Sequence, residues 1–272
     1  MAPITVGVLA LQGAFAEHIP ILQSASLEHS THAWTFCLVR TQSELASCDA
    51  LIIPGGESTA ISPIAQRTGL LQPLRDFINV ARKPVWGTCA GLILLADVVS
   101  GGGPKLEGFG GLAVEVKRNY FGRQVESFEA DLDLPFLASG KEAAKPFHTI
   151  FIRAPVVSSL LPSSNSASSP DTSSTASDRP EVEILVRLPA RAKAVTGPGA
   201  GKSAGELGEE GDIVAVRQGS VFGTAFHPEL TGDGRIHGWW LGEVGKWFEG
   251  REGGDEGVRR EAGETLLDAP SA

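Results

Sequence analysis

The sequence contains little cysteine: Cys37, Cys48 and Cys89 are its only three. An odd, small number without paired spacing argues against a disulfide scaffold and predicts a reducing compartment, so we expect a cytoplasmic protein. The spacing typical of metal ligands is also missing, so no metal site is expected. Cys37 lies in an apolar run and is interpreted as a small core residue, and Cys48, just before a predicted strand, is interpreted as inert.

The sequence also lacks an excess of positive charge and any long apolar run. The formal net charge is −9 and the pI is near 5.2, and an acidic surface repels phosphate backbones, which argues against general nucleic-acid binding. No stretch reaches the roughly eighteen apolar residues of a membrane span. The first ten residues have no basic start, so we interpret them as a strand and not as a signal peptide.

The first half of the sequence alternates short apolar runs with helical patterns. Strands are predicted over 4–10, 36–39, 50–53 and 84–86, and helices over 14–27, 70–80 and 90–99. Such alternation predicts an α/β fold with a mainly parallel sheet covered by helices on both faces. The second half is strand-like, so antiparallel additions to the sheet are expected before a closing helix over 236–248. The 272 residues, 42% of them apolar, suffice for one domain, predicted over 1–249.

Three segments have too little apolar content to offset the entropy of ordering them. Residues 158–178 are dominated by Ser, Pro, Thr and Asp, and residues 190–211 are rich in Gly, Lys and Glu. Both fall between predicted strands, so we expect disordered surface insertions there. Residues 250–272 are charged and glycine-rich, and a flexible tail is predicted.

The motif Gly-x-Cys-x-Gly surrounds Cys89, with a predicted strand before it and an apolar helical pattern after it. Glycines two residues before and after the cysteine fit a sharp strand-to-helix turn that exposes its central side chain. The helix N-terminus that follows favours thiolate over thiol. The alternative is a buried cysteine beside a tight turn, but the placement favours a nucleophile.

A thiolate nucleophile needs a base and a group that orients the base. The predicted strand 221–226 ends in His227-Pro228-Glu229. Residues two apart on an extended chain point to the same side, and Pro228 keeps His227 extended, so Glu229 is placed to orient the His227 ring. The other five histidines lack a comparable carboxylate arrangement at a strand end. Taken alone, the segment is more typical of a surface histidine near a strand end.

A third element follows the buried strand 50–53, where Pro54 is followed by Gly55 and Gly56. Adjacent glycines let backbone N–H groups turn toward a ligand oxygen, which suits an oxyanion hole. An ordinary strand-ending turn is the alternative for Pro-Gly-Gly.

Six segments together resemble the glutaminase subunits of the pyridoxal 5′-phosphate synthase complex, a family of class I (triad-type) glutamine amidotransferases. The resemblance covers roughly residues 4 to 249 apart from the two insertions, and it implies a three-layer, flavodoxin-like fold. The segments are Leu11-Gln12-Gly13, Pro54-Gly55-Gly56-Glu57-Ser58-Thr59, Gly87-Thr88-Cys89-Ala90-Gly91-Leu92, Arg118-Asn119-Tyr120-Phe121-Gly122-Arg123-Gln124, Phe151-Ile152-Arg153-Ala154-Pro155 and Phe226-His227-Pro228-Glu229-Leu230-Thr231.

The resemblance also implies roles for individual residues. Cys89 is the nucleophile, His227 the base and Glu229 the orienting carboxylate, while the backbone N–H groups of Gly56 and Ala90 form the oxyanion hole. Gln12 is expected near the oxyanion site or at a partner interface. The residues expected to bind L-glutamine are Gly56, Glu57, Ser58, Arg118, Ile152 and Arg153.

The activity implied is hydrolysis of L-glutamine without metal or cofactor, with ammonia passing to a barrel-shaped synthase subunit in a large hetero-oligomer. Three alternatives stay open. The chain is the glutaminase subunit of another amidotransferase, a catalytically silent regulatory subunit, or a cysteine hydrolase or chaperone of the same sheet class that does not use glutamine.

Overall fold

The computed structural model describes residues 3–29, 31–120, 127–137, 145–162, 179–189 and 211–264, with side chains through Arg251. Most of the two predicted insertions, 163–178 and 190–210, lies outside the described residues, as do 121–124 of the Arg118 segment and 265–272 of the predicted tail. Within the described ranges, no helix has both the length and the apolar character needed to cross a membrane.

Twelve strands and six α-helices form within the described part of the chain. The strands are β1 (Ile4–Leu9), β2 (Trp34–Val39), β3 (Ala50–Ile53), β4 (Val85–Thr88), β5 (Ala96–Ser100), β6 (Leu112–Lys117), β7 (Ser127–Leu132), β8 (Phe147–Ile152), β9 (Val156–Leu160), β10 (Glu183–Leu188), β11 (Asp212–Gln218) and β12 (Val221–Thr224). The helices are α1 (His18–Ser26), α2 (Gln42–Ala46), α3 (Ser58–Arg67), α4 (Leu71–Arg75), α5 (Ala90–Leu95) and α6 (Arg235–Glu264). A π-helical turn (Asp76–Val80) continues α4.

Ten strands form one sheet in the order β2-β1-β3-β4-β12-β11-β9-β6-β5, with β10 paired to β11. Neighbours from β2 to β12 are parallel, whereas β11 pairs antiparallel with β9, β10 and β12. β7 and β8 make a separate antiparallel pair. The prediction of a mostly parallel sheet with antiparallel additions is therefore confirmed.

Helices cover both faces of the sheet, as β4 shows. Trp86 packs against His237 and Trp240 of α6, whereas a β-carbon on the next residue, Gly87, would lie 2.5 Å from the backbone of Gly91 in α5. Successive strand residues face opposite sides, so α6 and α5 lie on opposite faces. Because β3, β4 and β12 are buried on both sides, all their residues are apolar or small, as a parallel central sheet requires.

Parallel alignment brings the carboxyl ends of four strands to one edge of the sheet. The register pairs Val8 with Ile52, Ile53 with Gly87 and Thr224 with Thr88. The segments that follow β1, β3, β4 and β12 therefore emerge side by side. These are the segments with the predicted site residues, and the crevice outside such strand ends is where open α/β sheets bind ligands.

The structure corrects the helix predicted over 90–99. α5 ends at Leu95 and the chain continues as β5, which pairs with β6 from Ala96 to Ser100. Asp97, Val98 and Val99 are poor helix formers, and the cross-strand pairing stabilises the extended form.

Other elements differ at their ends or were not predicted. β9 includes Ser158 to Leu160, which the sequence assigned to the first insertion. α2 and α3 were not predicted, although Thr41 and Glu44 form a capping box at the start of α2. α6 continues through Glu264, into the segment predicted as a flexible tail. The single domain over 1–249 and the flexibility of the tail remain predictions.

Candidate active site

The turn between β4 and α5 holds Cys89 in a strained conformation, with φ of 47°. The turn requires the start of α5 to approach the backbone at the end of β3 closely. A β-carbon on Gly91 would lie only 2.1 Å from the carbonyl oxygen of Ile53. The Cys89 backbone N–H donates to the carbonyl oxygen of Thr224 at 2.8 Å, which ties the turn to the end of β12. Strain of this kind persists only where the surroundings enforce it and is concentrated at functional sites.

His227 follows β12 and lies beside the same turn. Its backbone N–H donates to the carbonyl oxygen of Ile150 in β8, and its ring packs directly on Gly55, where a β-carbon would lie 2.2 Å from the ring. The ring Nδ1 lies 2.7 Å from Oε1 of Glu229, at the start of the 3-10 turn Pro228–Leu230. A carboxylate oxygen can only accept, so Nδ1 donates and Nε2 remains free to act on the thiol.

The electrostatics of His227 link it to Cys89. Burial lowers the pKa of His227, but hydrogen bonding and charge attraction to Cys89 and to Glu229 outweigh burial and raise it to about 10. The raised pKa keeps His227 an imidazolium at neutral pH, next to the Cys89 sulfur. This is the arrangement of an activated thiol nucleophile with a proton donor beside it.

We expect Cys89→Ala to lower the pKa of His227 substantially from about 10, because the substitution removes a hydrogen bond and a negative charge that raise it. NMR titration of the His227 imidazole measures this directly. Cys48→Ala, which removes a thiol elsewhere, is the matched control and should leave the titration unchanged. An unaltered titration in Cys89→Ala would mean that the thiol and the imidazole do not interact.

The loop after β3 packs against the loop after β1. The Ala14 N–H donates to the Gly55 carbonyl oxygen at 2.9 Å, and the Glu57 N–H donates to Oε1 of Gln12 at 2.7 Å. Gln12 thus holds the loop that carries Gly56. Glu57 is the N-cap of α3 and accepts from the Thr59 hydroxyl, while Ser58 is buried in the first turn.

Ile152 and Arg153 lie on the other side of Cys89, at the end of β8. The Cys89 thiol is 3.8 Å from the Ile152 carbonyl oxygen, and Nη2 of Arg153 is 3.9 Å from Oε2 of Glu57. Both charged groups are exposed, so their mutual attraction is weak. The structure therefore brings Gln12, Gly56, Glu57, Ile152 and Arg153 into one neighbourhood around Cys89.

Arg118 follows β6 and is buried. The described hydrogen bonds of its guanidinium go to the carbonyl oxygens of Gly102 and Pro104, in the loop after β5. Its Nε is buried and has no hydrogen-bond partner among the described residues. No described contact joins Arg118 to Cys89, so the structure does not itself bring Arg118 into the site.

Two histidines that the sequence did not single out lie behind Glu229. Nε2 of His18, in α1, is 3.7 Å from Oε2 of Glu229, and its Nδ1 is 2.9 Å from Nε2 of His237, in α6. Both histidines are fully buried. The only available sequence signal was a pair of histidines within otherwise apolar helix faces.

The remaining two cysteines lie elsewhere: Cys37 is in the edge strand β2, and Cys48 comes just before β3. The sulfur atoms of Cys37 and Cys48 are 3.7 Å apart and both residues are free thiols. Burial raises the pKa of the Cys48 thiol to about 12, with Cys37 adding to the effect. Cys48 is therefore protonated at neutral pH, as an unreactive thiol would be.

The fold and the site together indicate a class. This is an α/β protein in which a thiol, an imidazole and a carboxylate lie near one another at the carboxyl edge of a parallel sheet, an arrangement similar to that of triad-type cysteine enzymes. Comparison with known proteins identifies the family within this class. The chain belongs to the SNO glutamine amidotransferase family, whose sequence profile matches residues 8–175.

Relatives of known name match over most of the chain. A probable pyridoxal 5′-phosphate synthase subunit PDX2 of Arabidopsis thaliana is 40% identical over 88% of this chain and 85% of its own length. The pyridoxal 5′-phosphate synthase subunit PdxT of Mycolicibacterium smegmatis is 42% identical over 85% of this chain and 94% of its own. A crystal structure of a glutamine amidotransferase aligns with a TM-score of 0.61 at 37% identity, over 88% of this chain and 98% of that one.

Proposed function

We propose that this glutamine amidotransferase is the glutaminase subunit of a pyridoxal 5′-phosphate synthase. It hydrolyses L-glutamine to L-glutamate and delivers ammonia to the synthase subunit. The observation that carries the chemistry is the buried contact of His227 with Glu229 at 2.7 Å beside the strained Cys89. The names of relatives at about 40% identity support the assignment to this complex.

The proposed reaction begins when the Cys89 thiolate attacks the side-chain amide carbon of glutamine. The His227 imidazolium gives its Nε2 proton to the amide nitrogen as the carbon–nitrogen bond breaks, so ammonia leaves and a γ-glutamyl thioester remains on Cys89. His227, now neutral, takes a proton from water, which attacks the thioester and releases glutamate and the thiolate. Glu229 keeps Nδ1 of His227 protonated throughout, so Nε2 always faces the reacting atoms.

Negative charge develops on the amide oxygen during both attacks. We assign its stabilisation to the backbone N–H groups of Gly56 and Ala90. Ala90 is the first residue of α5, so its N–H has no partner within the helix. Gly56 sits in a loop that Gln12 holds against β1, and this support fixes the direction of its N–H.

Free glutamine carries an α-carboxylate and an α-ammonium group. Arg153 and Glu57 lie 3.9 Å apart beside Cys89, so they offer this zwitterion one cation and one anion at a matched spacing. Ser58 and the Ile152 backbone complete this part of the proposed pocket. Arg118 belongs to the proposal through family resemblance, supported by its buried Nε that lacks a partner among the described residues.

Replacing Arg153 with glutamine should raise KM for glutamine about tenfold and leave kcat nearly unchanged, because a charged hydrogen bond to the α-carboxylate is lost in ground state and transition state alike. Steady-state kinetics of the complex with the synthase subunit measure both constants. Arg67→Gln, at the exposed end of α3, is the control and should behave as wild type. Unchanged KM in Arg153→Gln would favour a cysteine hydrolase that does not use glutamine.

The partner separates the proposal from its nearest alternative, the glutaminase subunit of another amidotransferase. Only the vitamin B6 assignment predicts that the chain co-purifies with a pyridoxal 5′-phosphate synthase subunit in a hetero-oligomer. Glutamate release should be measured from the chain alone and with that subunit added. Stable association and glutamine-dependent formation of pyridoxal 5′-phosphate support the assignment, whereas association with a different synthase overturns it.

The cellular setting belongs to the same proposal. Three free thiols, two of them 3.7 Å apart, suit a reducing compartment, so we place the protein in the cytoplasm. A catalytically silent regulatory subunit is the less favoured alternative, because such a subunit has no need of the strained Cys89 turn.

A further inference from the structure

A row of buried polar side chains, from Glu229 through His18 to His237, continues beyond the three proposed catalytic residues. Glu229 receives the Nδ1–H of His227 on Oε1, but Oε2 is buried and has no hydrogen-bond partner among the described residues. The atom that faces Oε2 is Nε2 of His18, at 3.7 Å, which is also buried and equally without a partner there. Two unsatisfied buried polar atoms of opposite kind thus face each other.

The protonation states of the histidines determine which atom donates and which accepts at each step of this row of polar side chains. Burial lowers the pKa of His18 well below its ordinary value, and His237 and His227 lower it further. Burial also lowers the pKa of His237 to about 3, which the Asp233 carboxylate only partly opposes. Both rings are therefore neutral at physiological pH, and each carries a single N–H.

Only one order of donors satisfies the carboxylate. If Nε2 of His18 carries the proton, it points at Glu229, and Nδ1 of His18 must accept from Nε2 of His237 at 2.9 Å. The opposite order would set a lone pair of His18 against a carboxylate oxygen, which is repulsive in a buried site. The geometry therefore orders the donors as His237, His18 and then Glu229, while His227 donates to the same carboxylate from the other side.

We propose that His18 is a positioning residue for the glutaminase reaction, donating from Nε2 to Glu229 Oε2, with His237 fixing its tautomer. The inference rests on the proposed function of the Cys89 site. At 3.7 Å the contact is longer than a hydrogen bond, and it closes when substrate and the synthase subunit bind, since catalytic hydrogen bonds are often long in the free enzyme. His18 then holds the Glu229 carboxylate in the plane that orients the His227 ring.

This role predicts an effect on kcat and not on KM. His18 is buried behind Glu229, so it touches neither glutamine nor Cys89. An imidazole freed to rotate presents Nε2 to the reacting atoms for less of the time, which slows both proton transfers. Groups that orient a catalytic residue in this way are worth about 10- to 100-fold in rate.

Two variants of His18 separate positioning from packing. In His18→Gln the side-chain nitrogen replaces Nε2 and still donates toward Glu229, whereas in His18→Asn the amide reaches only the position of Nδ1 and leaves Oε2 without a donor. With the synthase subunit bound, we expect His18→Gln to keep kcat within about threefold of wild type and His18→Asn to lose about 10- to 100-fold, both with unchanged KM. His148→Gln, on an exposed histidine of β8 that pairs with Asp131, serves as the control.

Equal losses in both variants, or a kcat in His18→Asn that matches wild type, would overturn the inference. Wild type and Cys89→Ala are assayed alongside: if wild type releases no glutamate the proposed function fails, whereas an active wild type with an indifferent His18→Asn refutes the positioning role alone. Should both variants fail to fold, nitrogen-15 NMR of the wild-type chain decides. The inference requires His18 as the neutral Nε2–H tautomer, and the Nδ1–H tautomer contradicts it.

Discussion

Replacing Cys89 with alanine is expected to lower glutamine turnover by about 10⁴-fold or more, because it removes the sulfur that forms the acyl intermediate. The strained turn, with φ of 47°, presents this side chain to the pocket. Alanine removes the sulfur and leaves the proposed glutamine-binding groups in place. Glutamine should therefore still bind, and its dissociation constant should stay near that of wild type. Glutamate release in complex with the synthase subunit measures the loss.

The matched control for this substitution is Cys37→Ala. It removes a half-buried thiol that contacts Cys48 and none of the site residues, and it should retain wild-type turnover. A circular dichroism melt of both variants separates loss of chemistry from loss of fold. Residual turnover near the wild-type rate in Cys89→Ala would exclude the thioester mechanism.

Replacing His227 with asparagine should lower kcat about 10³-fold, since Cys89 loses the imidazole beside it and ammonia loses its proton donor. Because the pKa of His227 is raised to about 10, its imidazolium form predominates at neutral pH. In wild type we expect activity to fall as pH rises through about 10, where the imidazolium deprotonates and the proton for ammonia disappears.

His148→Asn provides the comparison, since His148 is an exposed histidine on β8 that pairs with Asp131 and Glu129. It should leave both kcat and the pH profile unaltered. If His227→Asn retained the alkaline limb of the wild-type profile, the proton donor would have to be another group.

Much of the site was predictable because local patterns and strand order act together. The turn around Cys89 needs glycines at fixed offsets. The strand-ending segment His227-Pro228-Glu229 places its two polar side chains on one side. Both features could therefore be predicted from short segments. Parallel pairing of β3, β4 and β12 then brings the segments to one edge. The fold class followed from the same alternation of strands and helices.

What escaped prediction depends on contacts between distant segments. The stretch 90–99 has the apolar content of a helix throughout, and only pairing of Ala96–Ser100 with β6 makes its second half a strand. Ser158 and Ser159 look like the start of a polar insertion, yet they pair with Glu115 in β6. His18 offered only a weak local signal, a histidine on an apolar helix face, since its partner Glu229 comes from the far end of the chain.

Acid-quenching the complex during turnover of glutamine, followed by peptide mass spectrometry, tests the central claim most directly. The account predicts a γ-glutamyl group on the peptide that contains Cys89, present in wild type and missing in Cys89→Ala. A γ-glutamyl group on another residue, or continued turnover by Cys89→Ala with no acylated peptide, would contradict it.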